Sequence, residues 1–255
     1  MHTEKALVVL SGGQDSTTCL FWAKAMFKEV HAVTYNYGQR HAIEIEAAKK
    51  VAELAGISDR HCIVDVGNIL QGSSPLVSKE TLEQYPDFNS LPGGLEKTFV
   101  PGRNMLFATL AANHAYARGI DRIVMGVCQE DFGGYPDCRL VFINAVEASV
   151  RTGFALSTED PFYYFSIFTP LMHLSKAASV QLAINLENGC YEALAYSHTS
   201  YDGQYPPVGH DHATLLRAKG FFEAGVPDPL IVRAVKEGLM QYPETPNYAE
   251  VRNAQ

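Results

Sequence analysis

Residues able to do phosphate chemistry stand together near the start of the chain: Ser11-Gly12-Gly13-Gln14-Asp15-Ser16-Thr17. Two adjacent glycines let backbone amides come close to a ligand, and Ser11, Ser16 and Thr17 add hydroxyl donors. The apolar run before them, through Ala6-Leu7-Val8-Val9-Leu10, lacks polar alternation and reads as a strand buried on both faces. Cys19, Leu20, Ala23 and Phe27 follow at helical spacing, so the small residues span a strand-to-helix turn. Unpaired amides and the positive end of that helix favour an anion, with phosphate or pyrophosphate the natural guest. The spacing is not the Gly-x-x-x-x-Gly-Lys-Ser/Thr of the common nucleotide loop.

Two further stretches carry chemistry. Phe99-Val100-Pro101-Gly102-Arg103-Asn104 opens a helix with Arg103 in its first turn, where a cation opposes the dipole unless an anion is near. Residues 128–139 hold three carboxylates, two adjacent glycines and two aromatic rings after a strand. Aromatic faces suit a planar heterocycle and a carboxylate suits its N–H groups.

These residues need a scaffold, and the alternation of elements supplies one. Strands are expected at 5–10, 30–34, 62–66, 122–127 and 162–168, with helices after most of them. That rhythm predicts an α/β fold: an open parallel sheet with helices on both faces, its ligands at the carboxyl ends of the strands. Helices are expected at 44–55, 140–152, from Leu215, and from Asp228 to Met240, the last two forming a small helical C-terminal region. Residues 67–97 are rich in Gly, Ser and Pro, too long for a compact loop, and read as a mobile flap over the substrate. Residues 241–255 read as a flexible tail.

The 255 residues allow one large domain or one with an appendage. A formal charge of −8 argues against a broad grip on nucleic acid. No apolar run reaches the length of a membrane span, and nothing resembles an export signal. Five scattered cysteines fit free thiols in a reducing cytoplasm.

The Ser-Gly-Gly-x-Asp-Ser string resembles the pyrophosphate loop of the N-type ATP pyrophosphatases, whose fold is adenine nucleotide alpha hydrolase-like. Together with Tyr37-Gly38-Gln39-Arg40-His41, Phe99 to Asn104, Gly126-Val127-Cys128, Gly134-Tyr135-Pro136-Asp137-Cys138-Arg139, Thr169-Pro170-Leu171 and Leu216-Arg217, it closely resembles the 7-cyano-7-deazaguanine synthase (QueC) family. The likeness covers nearly the whole chain. It implies ATP and Mg2+ as cofactors and, in queuosine biosynthesis, conversion of 7-carboxy-7-deazaguanine and ammonia to the nitrile through an acyl adenylate and an amide. By matching position, Ser11, Gly12, Gly13, Gln14, Asp15, Ser16 and Thr17 hold pyrophosphate, and Arg103 and Lys176 stabilise phosphate charge. Asp15, Arg103 and Lys176 are the catalytic candidates. Gln39, Arg40, Asp131, Tyr135 and Asp137 are candidates for the nucleotide and deazaguanine walls. The resemblance also implies a homodimer or larger homo-oligomer.

One departure stands out. The family usually carries four zinc-binding cysteines, and the matching positions here read Ser200, Val208, Asp211 and Thr214. A thiolate site cannot be built from them. His198, His210, His212 and Cys190 are the substitute ligands on offer. The division expected is therefore a catalytic domain at 1–190, with the lid at about 67–98, and a helical region at 191–255 in place of the zinc segment. The altered segment leaves open a related ligase that delivers the activated acid to a macromolecular amine; a reading of a different class is a non-catalytic nucleotide-binding regulator that kept the loop.

Overall fold

Ala6, Leu7 and Val8 are buried because β1 (Lys5–Val9) has apolar neighbours on both faces, which places it in the middle of a sheet. The computed structural model describes residues 4–38, 43–67, 69–70, 74–77, 81–91, 95–129 and 134–254. Its five strands run in the order β3-β2-β1-β4-β5, all parallel. The others are β2 (Glu29–Asn36), β3 (His61–Asp65), β4 (Arg122–Val124) and β5 (Ser166–Phe168). Val8 pairs with Ala32 on one side and Val124 on the other.

Helices α1 (Gln14–Met26) and α2 (Ile43–Leu54) cover one face, where Leu20, Phe21, Val51 and Ala52 pack with Val8 and Leu10. Helices α3 (Arg103–Tyr116) and α4 (Leu140–Phe154) cover the other, where Ala108, Ala112, Ile143 and Val146 meet Leu7, Val33 and Ile123. The chain thus reverses direction across the sheet between β1 and β4, and a crevice opens at their carboxyl ends. The α/β expectation is met.

Glycine governs how closely the backbones meet there. Gly12 has φ +86°, and a Cβ on it would lie 2.4 Å from the Glu44 carbonyl oxygen and 2.7 Å from the Ala48 amide of α2. A Cβ on Gly126 would lie 3.0 Å from the Ser16 amide. The fourth strand ends at Val124, and the chain then passes over the start of α1 instead of continuing as a strand to Val127.

Two other expectations change. Residues 162–168 do not form one strand: Pro161–Tyr164 is a 3-10 turn that buries Phe162, and only Ser166–Phe168 joins the sheet. The aromatic density serves the core through Phe162 and Phe165, while Tyr163 and Tyr164 are exposed. The tail is also ordered. α9 (Ala249–Asn253) follows a 3-10 turn, Tyr248 is buried with its hydroxyl accepting from Asp228 N at 3.3 Å, and Asn247 donates to the Val226 carbonyl at 3.0 Å.

Beyond β5 the chain builds α5 (Lys176–Asn185), α6 (Cys190–Ala193), α7 (His212–Ala224) and α8 (Pro229–Lys236). Val180, Ala193 and Phe221 complete the core on the α1 side. Arg217 fastens this region: it grips Asp228 through two bonds of 2.6 and 2.8 Å and donates to Ser197, Thr199 and the Leu194 carbonyl. Asp228 also caps α8 by accepting from Leu230 N at 2.9 Å. Described parts of 67–98 lie against the same region, with Tyr85 N donating to the His210 carbonyl at 2.9 Å and the Phe88 ring 5.7 Å from that of Phe222.

Breaking the Arg217–Asp228 pair from one side leaves a buried carboxylate without its cation. Arg217→Met is expected to cost about 3–5 kcal/mol in urea unfolding, with part recovered by adding Asp228→Asn, which removes the charge and keeps a capping oxygen. Equal stability of wild type and Arg217→Met refutes this. Gly12→Ala meets two backbone atoms as well as left-handed strain, and is expected to lose at least about 2 kcal/mol by the same measurement.

Candidate active site

The crevice at the ends of β1 and β4 is a cavity of about 380 Å³, of small-molecule size. Ser11, Gly13, Gln14, Asp15 and Ser16 line it from the loop after β1, Arg103 from the start of α3, and Lys176 from the start of α5. The fold therefore joins the three catalytic candidates in one space.

The loop organises its own backbone. Ser11 Oγ lies 3.0 Å from Ser16 Oγ and accepts from Gly13 N at 3.3 Å, while Ser16 Oγ accepts from Ser11 N at 3.2 Å. Thr17 Oγ1 donates to the Gly13 carbonyl at 2.8 Å and is fully buried, so its hydroxyl serves the helix. The Gly12 carbonyl accepts from His198 N at 2.8 Å. Gly13 gives α1 no side-chain cap, which leaves first-turn amides with capacity for an anion.

Lys176 Nζ stands 2.6 Å from Asp15 Oδ2. Asp15 Oδ1 and Gln14 Nε2 are buried without a hydrogen-bond partner among the described residues. Such atoms are costly to leave bare and mark where a ligand completes the site. Ser175 caps α5 by accepting from Ala178 N at 3.2 Å, and a Cβ on Gly220 would sit 2.7 Å from Lys176 Cβ, so α7 presses the lysine into place.

Arg103 follows Gly102, whose φ of +80° turns the chain into α3. Burial works against its charge, but Tyr37, Tyr201, Tyr135 and Asp137 around it more than offset that and raise its pKa. Asp137 sits behind the wall: its buried carboxylate accepts from Asn104 N at 3.4 Å, and burial raises its pKa against the pull of Arg103. Tyr135 does line the cavity, with its hydroxyl 2.6 Å from Thr98 Oγ1 and its ring 5.4 Å from Phe99. Gln39, Arg40 and Asp131 lie outside the described residues. An aromatic shelf comes instead from Tyr35, Tyr37 and Phe107, with ring centroids 4.8 and 5.3 Å apart.

The substitute metal ligands do not converge. Cys190 is buried in the core under α1, its thiol pushed up to about 12 by burial. His198 Nε2 lies 2.6 Å from the Ser200 carbonyl, and His212 Nε2 lies 3.9 Å from Glu96. Among the described residues no group of three or more His, Cys, Asp or Glu side chains is placed to hold a metal ion. At three of the four positions where the resemblance implied cysteines, Ser200 Oγ donates toward Asp202 at 2.5 Å and Asp211 at 2.9 Å, and Thr214 Oγ1 donates to Asp211 at 2.7 Å.

The cavity also takes Glu44, Arg139, Thr199 and Tyr201, which the sequence reading did not single out. Glu44 stands in the first turn of α2, the helix that follows the carboxyl end of β2, and that position was a readable signal. Thr199 and Tyr201 arrive from a segment without periodicity, and no local pattern points to them.

The family described as queuosine biosynthesis protein QueC matches residues 5–225. Proteins named 7-cyano-7-deazaguanine synthase from Gloeobacter violaceus and Chromobacterium violaceum are each 49% identical to this chain. The matches cover 89% and 92% of this chain and 95% and 96% of those proteins. A namesake from Lysinibacillus sphaericus is 48% identical over 88% of this chain and 96% of its own. With the match spanning all five strands, the phosphate loop, Arg103 and Lys176, the chain belongs to the QueC family.

Proposed function

We propose that this enzyme of queuosine biosynthesis is an ATP-dependent ligase that converts 7-carboxy-7-deazaguanine and ammonia to 7-cyano-7-deazaguanine. The observation that carries the reading is the loop at Gly13–Ser16 set beside the Lys176–Asp15 pair, with one carboxylate oxygen still unpartnered. The chemistry of a carboxylic acid explains why such a cradle is needed. A carboxylate resists attack because its leaving group is oxide, whereas an acyl adenylate releases AMP. The first-turn amides of α1 and the Lys176 ammonium hold the outer phosphates, and the substrate oxygen takes the α phosphorus as pyrophosphate leaves. Arg103 is placed to balance charge on the phosphates or the acid.

Asp15 Oδ1 suits a magnesium ion, which prefers one or two carboxylates together with phosphate oxygens. When bound there, the ion neutralises charge on the departing pyrophosphate. The shelf of Tyr35, Tyr37 and Phe107, with Tyr135, supplies faces for a flat bicyclic ring. The identity to the named synthases supports the choice of substrate.

Incubation with the deazaguanine acid, ATP and ammonium is expected to give free nitrile by mass spectrometry, with AMP and pyrophosphate as coproducts. ADP and phosphate, or no nitrile, defeat the proposal. Lys176→Ala is expected to lower kcat by at least about 100-fold, the scale of removing one preorganised charge donor. A variant that turns over normally removes Lys176 from the mechanism.

A further inference from the structure

Every hydrogen that ammonia brings must leave its nitrogen before a nitrile exists, so the reaction proposed above needs a proton acceptor inside the cavity. Among the described lining residues the carboxylates are Asp15 and Glu44. Asp15 already faces Lys176 at 2.6 Å on the phosphate side. The lining imidazoles are engaged elsewhere, His198 at the Ser200 carbonyl and His212 beside Glu96. Burial raises the Tyr37 and Tyr201 hydroxyls, which keeps them as phenols. Among the described lining carboxylates, that leaves Glu44 on the side away from Lys176.

Its position is fixed from the backbone outward. The Glu44 carbonyl lies against Gly12, so the start of α2 is locked to the phosphate loop. Arg103 faces the Glu44 carboxyl from α3, Tyr37 from the end of β2, and Tyr201 from the segment before α7. It thus shares the space of the aromatic shelf, where the flat ring is placed, while Asp15 serves the phosphates.

We propose that Glu44 is the proton acceptor for the substrate nitrogen, an inference that rests on the nitrile-forming reading. In the first round the ammonia lone pair forms the C–N bond on the acyl adenylate, a nitrogen proton passes to the Glu44 carboxylate, and AMP leaves with the C–O electron pair. In the second round the amide oxygen bonds to the α phosphorus of a new ATP, pyrophosphate departs, and Glu44 takes one N–H proton. Removal of the last N–H proton then completes the C≡N bond as the C–O bond breaks and AMP leaves. Between steps the proton goes to solvent. Burial raises the Glu44 carboxyl to about 7, with Arg103 pulling the other way, and a group near neutrality both accepts and releases a proton readily.

The test starts from the preformed amide and ATP, which takes ammonium's own titration out of the experiment. Wild-type nitrile formation is expected to fall as pH drops through about 7 and Glu44 becomes protonated. Glu44→Gln should lower the rate by about 10²–10⁴-fold and remove that acid limb, and Glu44→Asp should keep a limb at reduced rate. Acid-dependent exchange of labelled pyrophosphate into ATP, which moves no nitrogen proton, should persist in Glu44→Gln. Absence of exchange in wild type sinks the ligase reading itself. With exchange present in wild type, nitrile made by Glu44→Gln at the normal rate and pH profile overturns the role of Glu44. Loss of exchange in both variants equally overturns it, by making the residue structural.

Discussion

Backbone meets backbone around the phosphate loop, and the rest of the site depends on that contact. Gly12 lets α2 approach until the Glu44 carbonyl nearly touches the loop, and Gly126 lets the end of β4 pass over the Ser16 amide. His198 N closes the third side through the Gly12 carbonyl. The nearest atoms to Gly12 on this side are backbone, with the small Ala47 Cβ beside them, so the loop has little freedom left to lose when a ligand arrives. Donors fixed in advance stabilise developing charge better than donors that must reorganise. The internal bonds of Ser11, Ser16 and Thr17 have the same effect. Hydroxyls that look like phosphate ligands in the sequence act in part as the frame that aims the amides.

Much of this was legible in the residues. A non-alternating apolar run into Ser-Gly-Gly, and alternation of strands with helices, led to the parallel sheet and to its ligand edge. What failed was local in cause. The 162–168 aromatics mimic a strand by composition, yet Pro161 sets a 3-10 turn and Phe162 and Phe165 both turn into the core. The tail reads as flexible in the sequence, yet Tyr248 finds a buried place against the Asp228 amide. Long-range partners of this kind leave no trace in a short window of sequence. Asp137, expected in the substrate wall, has its carboxylate accepting from Asn104 N in the first turn of α3, beside Arg103.

Net charge hides the character of the cavity. The chain carries −8 overall, yet Lys176, Arg103, Arg139 and Arg217 all reach the one cavity. Of these, Arg217 is committed to Asp228, and Lys176 shares Asp15. Arg103 keeps its charge despite burial because tyrosines and Asp137 surround it. In the proposed reaction a nucleotide and an acid bring several negative charges together, and a low-dielectric wall makes each cation count for more than it does in water. The sum over the surface says nothing about this arrangement.

Residues 198–201 explain why the C-terminal region matters to a site built mostly from the sheet. His198 N holds the phosphate loop, Thr199 Oγ1 accepts from Arg217, Ser200 Oγ bonds to Asp202 and Asp211, and Tyr201 faces Arg103. Four consecutive residues tie four networks together. The requirement on the segment after α6 is therefore positional: something must pin the chain at Ser200 so that its neighbours keep their places. Asp211 meets it with one buried carboxylate that caps α7 through Thr214 N and holds both hydroxyls. Hydrogen bonds to a charged acceptor contribute about 1.5–3 kcal/mol each, enough in combination to hold a short loop. Gly209 belongs to the same arrangement, because a Cβ there would lie 2.7 Å from Asp202 Oδ2 and crowd the carboxylate that accepts from Ser200.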